Sequence, residues 1–206
     1  MSLLIDLPAR QLLDSVSAPT AAPGGGATAA LAGALGASLV LMVASLPKTK
    51  TGAPGEREAL DAVAREVHPA RDRLAALVDE DTEAYNSVVK AYKLPKGSEE
   101  ETRQRQGAVQ TGLRRSSDVP LEVMRLCETA ARRAVVVARN GNPMAASDLG
   151  VGLELLQAAS AGAALNVKAN LGQIRDGDYA ARAATEMRKL DADLDRALAQ
   201  AREALA

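Results

Sequence analysis

The chain has 206 residues, enough for one domain with a sizeable core, and 25 Lys and Arg residues almost balance 26 Asp and Glu residues. This balance provides no field that would recruit nucleic acid or an anionic membrane. One cysteine and one histidine exclude a disulfide framework and a zinc site made from these residue types, and they suit a reducing cytoplasm. Without Phe or Trp, the core must consist of Ala, Leu and Val, which favours closely packed helices over sheets.

The first predicted element is a short helix that ends near Val16. Asp6 is a suitable capping residue, and Pro8 fits the first turn of a helix. The glycines Gly24, Gly25 and Gly26 then lead into a second helix. Because a helix start offers free backbone N–H groups and a positive dipole end, this turn is a candidate anion-binding site.

The second helix, residues 27–46, carries no charge. A helix that is apolar on all sides must be surrounded by other helices or by lipid. It is long enough to span a bilayer. Its high Ala and Gly content and the lack of a second comparable span favour a buried helix of a soluble protein, so we expect no membrane partner. Ala29, Gly33 and Ala37 form a ridge of small residues that allows another backbone to approach closely.

The segment 47–55 is a predicted loop that contains Lys48 and Lys50 just past the helix end. Two interpretations are open for these lysines. They complement the helix dipole and improve solubility, or they bind a ligand.

A long helical pattern covers residues 56–92, with a bend expected at Pro69. Its apolar stripe keeps steps of three and four only if Asp81 is included, four residues before Tyr85. Asp79 and Glu80 can turn towards water. A carboxylate on the buried stripe should have a raised pKa, so Asp81 is either a functional acid or an aspartate paired with a neighbouring helix or arginine. The stripe consists of Leu60, Val63, Val67, Ala70, Leu74, Leu77, Val78, Tyr85, Val88 and Tyr92.

The next helix begins with a capping box at Ser98 and runs to about Ser117, where Pro120 either kinks it or opens a new helix. The pattern ends at Asn140-Gly141. Cys127 falls on the apolar face, which predicts a packed hydrophobic side chain rather than a nucleophile.

A second small-residue helix is predicted for residues 149–174, and it is the natural partner of the first. Asp148 is placed to cap it. Asn166 and Asn170 lie on its buried face, where two amides need partners from other helices or from a polar ligand. A last helix runs from Asp178 to the end. The whole pattern predicts one all-α domain, residues 1–206, in which the two Ala/Gly-rich helices form the core of a homodimer.

Several short motifs occur in an order that resembles the cyclodeaminase/cyclohydrolase family, over nearly the whole chain. This family includes the cyclodeaminase domain of formiminotransferase-cyclodeaminase and free-standing bacterial methenyltetrahydrofolate cyclohydrolases. In chain order the motifs are Ala18-Pro19, Pro23-Gly24-Gly25-Gly26, Asp81-Thr82-Glu83-Ala84-Tyr85, Leu94-Pro95-Lys96, Val119-Pro120-Leu121, Gly141-Asn142, Ser147-Asp148, Asn166-Val167 and Asn170-Leu171.

The resemblance implies an all-α homodimer that acts on one-carbon tetrahydrofolates, with Asp81 as the proton-transfer residue. One departure is the glycine turn, in which Ala21-Ala22 are inserted between Pro19-Thr20 and Pro23. On polarity and position we expect three asparagines to bind the pterin edge, and the glycine turn with Lys48 to meet the glutamate tail. The candidate substrate-binding residues are Gly24, Gly25, Gly26, Lys48, Tyr85, Asn142, Asp148, Asn166 and Asn170.

Three functions remain open from the sequence. The first is a methenyltetrahydrofolate cyclohydrolase that works without a metal or another cofactor, and the second is a formiminotetrahydrofolate cyclodeaminase. The third is a non-catalytic helical dimer or small-molecule binder that kept the scaffold.

Overall fold

The computed structural model describes residues 3–206, and within this range the chain forms six α-helices and no strand. The prediction of an all-α bundle is therefore confirmed. Short 3-10 turns at Leu4–Asp6 and Pro143–Ala145 complete the structure. The helices are α1 (Ala9–Ser17), α2 (Gly25–Ser45), α3 (Pro54–Tyr92), α4 (Glu99–Asn140), α5 (Ala146–Leu171) and α6 (Gly177–Leu205).

The centre of the bundle is α2, which packs between α3 and α5. The two Ala/Gly-rich helices run antiparallel and approach so closely that a Cβ atom on Gly36 would lie 2.9 Å from the carbonyl oxygen of Gly152. Towards the N-terminus of α2, Gly33 faces Ala159 and Gly25 faces Asn166. Small residues at these positions permit this backbone separation.

One side of the α2–α5 pair is left uncovered by the rest of the chain. Leu35 on α2 is 51% exposed, while Val151 and Leu165 on α5 are 54% and 68% exposed. Such a contiguous apolar surface is unusual on a protein that acts alone. We call it the α2–α5 face. Its apolar members are Leu31, Leu35, Leu39, Met42, Val151, Leu155, Ala158, Ala161 and Leu165.

Among the described residues, α2 is the one helix long and apolar enough to cross a membrane by length and composition. In the bundle, 61% of its most apolar stretch is buried against other helices. The packing therefore accounts for most of its apolar surface, and the rest belongs to the α2–α5 face.

Neither of the two prolines inside the long helices breaks its helix. Pro120 does not end α4, which continues from Glu99 to Asn140. Its ring is buried among other core side chains, and this burial offsets the loss of one backbone hydrogen bond. Pro69 likewise lies inside α3.

Of the three helix caps predicted from the sequence, one forms and two do not. Ser98 forms the predicted capping box, in which its hydroxyl accepts from the N–H of Glu101. Asp6 and Asp148 form no cap. The last helix, α6, was predicted to begin at Asp178, and it begins one residue earlier, at Gly177, with Asp176 as its cap. The reason at α5 is that the helix begins earlier, at Ala146, so Asp148 lies inside its first turn.

Candidate active site

A pocket of about 410 Å³ opens at the N-terminus of α2, between the glycine turn and the helices α3, α4 and α5. It is the place where the glycine motif, the Asp81 motif and the two asparagines meet. The lining residues are Ala21, Ala22, Gly24, Gly25, Gly26, Asp81, Tyr85, Val88, Val89, Tyr92, Leu113, Ser116, Asn166, Asn170 and Gln173.

The carboxylate of Asp81 lies directly over the first turn of α2. A Cβ atom on Gly26 would lie 2.5 Å from Cγ of Asp81 and 2.6 Å from its Oδ2 atom, so residue 26 must be glycine for this contact. Burial raises the pKa of the Asp81 carboxyl, while a hydrogen bond from the backbone of Ala27 acts in the opposite direction. A carboxyl with a raised pKa can both accept and return a proton near neutral pH.

The two neighbouring acids do not reach this pocket, and they do not point into water as the sequence suggested. The carboxylate of Asp79 accepts hydrogen bonds from the backbone N–H groups of Leu4, at 2.6 Å, and Ile5, at 3.3 Å. Glu80 pairs with Arg73, which also binds Glu122 on α4. Both neighbouring acids therefore satisfy structural partners, and of these three acids Asp81 alone is available to a ligand.

Two aromatic rings line the pocket in a chain that has three tyrosines and neither Phe nor Trp. Tyr85 lies one helical turn after Asp81 and is 40% exposed, and Tyr92 follows two turns later with 46% exposed. The guanidinium of Arg105 stacks on the Tyr92 ring at 5.4 Å from its centroid. Exposed aromatic rings in a pocket are suited to stack on an aromatic ligand.

The polar edge of the pocket is formed by side chains of α4 and α5. The amide nitrogen of Asn170 donates to the carbonyl of Ser116 at 2.6 Å, and that of Asn166 donates to the carbonyl of Gly162 at 2.9 Å. No hydrogen bond between described residues uses either Oδ1 atom. The hydroxyl of Ser116 is buried without a partner among these residues. The edge thus offers two acceptors and one donor to a ligand.

Three predicted binding residues lie at the opposite end of the bundle. Lys48 is exposed in the loop that follows α2, Asp148 is exposed in the first turn of α5, and the Oδ1 atom of Asn142 accepts from the N–H of Met144. Because α2 spans about 31 Å and runs antiparallel to α5, the end of one helix and the start of the other cannot reach Asp81 in the same chain.

The loop that carries Lys48 is held in place by Glu56. Its carboxylate accepts from the hydroxyl of Thr49 at 2.7 Å and from the backbone N–H groups of Thr51 and Gly52 at 2.9 and 3.0 Å. These hydrogen bonds, with the Thr49 hydroxyl first, lower the pKa of Glu56 to about 2. The loop is therefore ordered although it lies on the surface.

The remaining reactive groups do not add to the site. Cys127 is buried against Gly33, and burial raises the pKa of its thiol to about 12, as expected for a packed side chain rather than a nucleophile. Within residues 3–206, no group of three His, Cys, Asp or Glu side chains could hold a metal ion.

Among the polar and aromatic lining residues, sequence reasoning assigned no site role to Ser116, Tyr92 and Gln173. Tyr92 was recognised only as a member of the apolar stripe of α3. A signal was present for Ser116, because it is a polar residue close to the apolar positions of α4. Gln173 follows the end of α5 and carries no sequence signal of its own.

Known proteins resemble this chain over most of its length. Residues 8–189 match the family model described as formiminotransferase-cyclodeaminase. The methenyltetrahydrofolate cyclohydrolase of Methylorubrum extorquens is 35% identical over 88% of this chain and 87% of its own. The formimidoyltransferase-cyclodeaminase of Gallus gallus is 37% identical over 85% of this chain, which spans about a third of that protein (32%).

A solved structure has the same fold. The crystal structure of formiminotetrahydrofolate cyclodeaminase from Thermotoga maritima superposes with a TM-score of 0.87 and 28% sequence identity, covering 97% of this chain and 96% of its own. Together with the family match, this similarity extends from the glycine turn to α6. The chain belongs to the formiminotransferase-cyclodeaminase family.

Proposed function

We propose that this protein is an enzyme of one-carbon tetrahydrofolate metabolism that converts 5,10-methenyltetrahydrofolate and water to 10-formyltetrahydrofolate. The observation that carries this proposal is the Asp81 carboxyl, held with a raised pKa in a pocket lined by two tyrosines. The similarity to a free-standing cyclohydrolase over 87% of that protein's length supports the choice of reaction.

The proposed mechanism uses Asp81 as a proton shuttle. As water attacks the cationic methenyl carbon, the Asp81 carboxylate takes a proton from the water molecule. The product of this step is a neutral hydroxymethylene bridge between N5 and N10. The carboxyl then protonates N5 and the bond from carbon to N5 breaks. The hydroxyl proton leaves as the formyl C=O forms, so one proton is released to solvent in total. Such proton transfer contributes roughly 10²–10⁴ in rate.

The pocket supplies groups for the rest of the substrate. We propose that Tyr85 and Tyr92 stack on its aromatic rings, while the hydroxyl of Ser116 and the amide oxygens of Asn166 and Asn170 bind the pterin edge. Glycine at Gly24 and Gly25 lets the ligand approach the backbone at the start of α2 closely, while glycine at Gly26 makes room for the Asp81 carboxylate.

The second candidate reaction is cyclodeamination of 5-formiminotetrahydrofolate. In this reaction N10 attacks the formimino carbon, N10 loses its proton and the amine leaves as ammonia. The Thermotoga maritima neighbour, which matches over 97% of this chain, favours this reading. Asp81 would take the proton from N10 and return one to the leaving nitrogen.

One experiment separates these readings. The purified protein is given 5,10-methenyltetrahydrofolate, whose absorbance is lost on hydrolysis, and separately 5-formiminotetrahydrofolate, with ammonia measured as product. Loss of methenyl absorbance above the uncatalysed rate supports the cyclohydrolase, and ammonia release supports the cyclodeaminase. If the protein binds both folates and converts neither, it is a non-catalytic binder and the proposal fails.

We also propose that the protein works as a homodimer through the α2–α5 face. The exposed leucines of this face, including Leu35 and Leu165, would be covered by the same face of a second copy. The face is about 31 Å long and two helices wide, or roughly 600 Å² in flat projection, which is close to the share of each partner in a standard interface.

The remaining proposals concern the setting of the reaction. Hydrolysis of the methenyl bridge leaves the oxidation state of its carbon unchanged, so it needs no redox cofactor. We propose that it also proceeds without a metal. The sole cysteine is a free, buried thiol. A protein with a free thiol and no disulfide bond is suited to the reducing cytoplasm, which is our proposed location.

A further inference from the structure

The pocket has no positively charged side chain among the described residues. Neither Lys nor Arg lines it, and its one carboxylic acid is Asp81. A folate carries a glutamate tail with carboxylates, which bind best to a Lys or Arg side chain. The lining of one chain therefore provides a place for the pterin and no Lys or Arg for the tail. The nearby Arg105 is engaged by Tyr92, because it stacks on the Tyr92 ring and its Nε donates to the Tyr92 carbonyl.

Unpaired cations are found at the far end of the same two helices. Lys48 and Lys50 are exposed in the loop after α2, and neither forms an ion pair with a described residue. The loop is nonetheless fixed, since the N–H of Lys50 donates to the carbonyl of Asn140 at 2.9 Å and Glu56 binds its other side. A surface loop that carries two unpaired lysines in a fixed position is a suitable site for an anion.

The α2–α5 face runs from the pocket to this loop. On α2 its exposed positions extend from Thr28, one turn inside Gly25, to Ser45, three residues before Lys48. Their midpoint lies between Leu35 and Leu39. If a two-fold axis crosses this midpoint at right angles to α2, Ser45 comes opposite the partner's Thr28, and Lys48 comes opposite the partner's Gly25.

We infer that the active site is completed by the second subunit: Lys48 of the partner subunit binds the glutamate carboxylate of a folate held in the Asp81 pocket. This inference rests on the proposed function and adds the residue that recognises the tail. Two α2 helices packed at the common angle of about 20° diverge by only about 6 Å at their ends, which a lysine side chain can bridge.

The other two-fold arrangement of the same face does not complete the site. An axis parallel to the helices would lay α2 against the partner's α5 and bring both Asp81 pockets to one end. Both lysine loops would then lie together at the other end, about 31 Å away. Both pockets would remain without a cation, and the four lysines of the two loops would repel one another. Charge complementarity therefore favours the antiparallel α2 pair.

Subunit complementation tests the inference. Lys48→Ala should raise KM for the folate about tenfold or more with little change in kcat, and Lys48→Arg should restore it. Asp81→Asn should lower kcat by about 100-fold or more. The two variant homodimers are then unfolded, mixed and refolded. Because each site combines Asp81 of one chain with Lys48 of the other, a heterodimer contains one site with both changes and one intact site. Activity at low substrate should then recover to about one quarter of the parent, since about half of the dimers are mixed.

The outcomes separate this inference from the proposed function. If Lys48 serves its own chain, the mixture recovers no activity, and the inference is wrong while the enzyme assignment stands. If Lys48→Ala leaves KM unchanged, the inference is also wrong. If the parent protein turns over neither folate, the proposed function has failed, and the dimer geometry must be measured without activity.

Cross-linking provides that measurement. Thr28→Cys and Ser45→Cys chains, refolded together and treated with a short bis-maleimide, should form covalent dimers that neither variant forms alone, while buried Cys127 does not react. In the other arrangement Thr28 faces the partner's α5, so absence of this cross-link would overturn the inference. An Asp72→Cys chain, exposed on α3, which is not part of the face, is the matched control.

Discussion

The Asp81 carboxylate rests against the backbone of Gly26, at a position where any side chain on residue 26 would collide with it. This contact joins the two motifs that the sequence singled out independently, the charged position on the stripe of α3 and the glycine turn before α2. It places a carboxyl over the positive end of a helix, where its ionised form is stabilised, while burial opposes ionisation. The balance of these effects defines the first predictions.

Asp81→Asn should lower kcat by about 100-fold or more while leaving the fold intact, because asparagine keeps the size of the side chain and cannot transfer a proton. Turnover and the thermal midpoint are measured together. Asp79 is unsuitable as a control, because its carboxylate holds the backbone of Leu4 and Ile5. Asp72→Asn, an exposed aspartate of α3 whose partner is the adjacent Arg71, should change neither quantity. An Asp81→Asn protein that turns over at the parent rate would refute the assignment.

The same pair of proteins should differ in the pH dependence of stability. Because the pKa of Asp81 is raised on folding, its contribution to stability is fully present below the unfolded pKa and is lost as pH rises through the folded pKa. The asparagine side chain of the variant stays neutral throughout. The thermal midpoint of Asp81→Asn relative to the parent should therefore increase as pH is raised from about 3 towards 7. A relative midpoint that falls over this range would show that the ionised carboxylate is the favoured form.

Gly26→Ala should reduce turnover about as much as Asp81→Asn does, because the new Cβ atom displaces the carboxylate from α2. The loss of activity should appear as a lower kcat and not as a large rise in KM. Circular dichroism should show an intact helical bundle. Gly107→Ala on α4 is the matched control, since nothing lies within 4 Å of its Cβ position. That change should keep full activity and stabilise the helix by about 0.5–1 kcal/mol. Full activity in Gly26→Ala would contradict the described contact.

Sequence reasoning could predict the part of the site that depends on helix periodicity. Asp81 was identifiable because it interrupts an apolar stripe, and the glycine turn because three glycines precede an uncharged helix. The positions of Lys48, Asn142 and Asp148 were not predictable, because they depend on which helices pack together and in which direction. Ser116 is a polar residue close to the apolar positions of α4, but the lack of a partner for its hydroxyl was not predictable, because it depends on the packing of the helices. The homodimer stays a prediction.

Leu35→Arg should convert the proposed dimer to a monomer, because a charge at the middle of the α2–α5 face cannot be buried without a partner. Light scattering at micromolar concentration measures the change. Leu94→Arg replaces a leucine that is 41% exposed between α3 and α4, which are not part of the face, and should leave the oligomeric state unchanged. A parent protein that is monomeric and active at this concentration would rule out the proposed assembly.

Glu56→Gln should loosen the loop that carries Lys48, because the neutral amide accepts the hydrogen bonds of Thr49, Thr51 and Gly52 less strongly than the carboxylate does. The pKa of Glu56 is lowered to about 2, so its contribution to stability is present above the unfolded pKa, near 4.5, and is lost as pH falls through about 2. Thermal midpoints of the parent and the variant should therefore differ above pH 4.5 and converge near pH 2.

The matched control for this prediction is Glu58→Gln, two residues away on the exposed side of α3, which has no hydrogen bond to the loop. Backbone amide exchange of Thr51 and Gly52 should accelerate in Glu56→Gln and remain unchanged in Glu58→Gln. If the loop positions the partner's Lys48, KM for the folate should rise in Glu56→Gln while kcat is retained. A loosened loop with an unchanged KM would show that the order of this loop does not contribute to substrate binding.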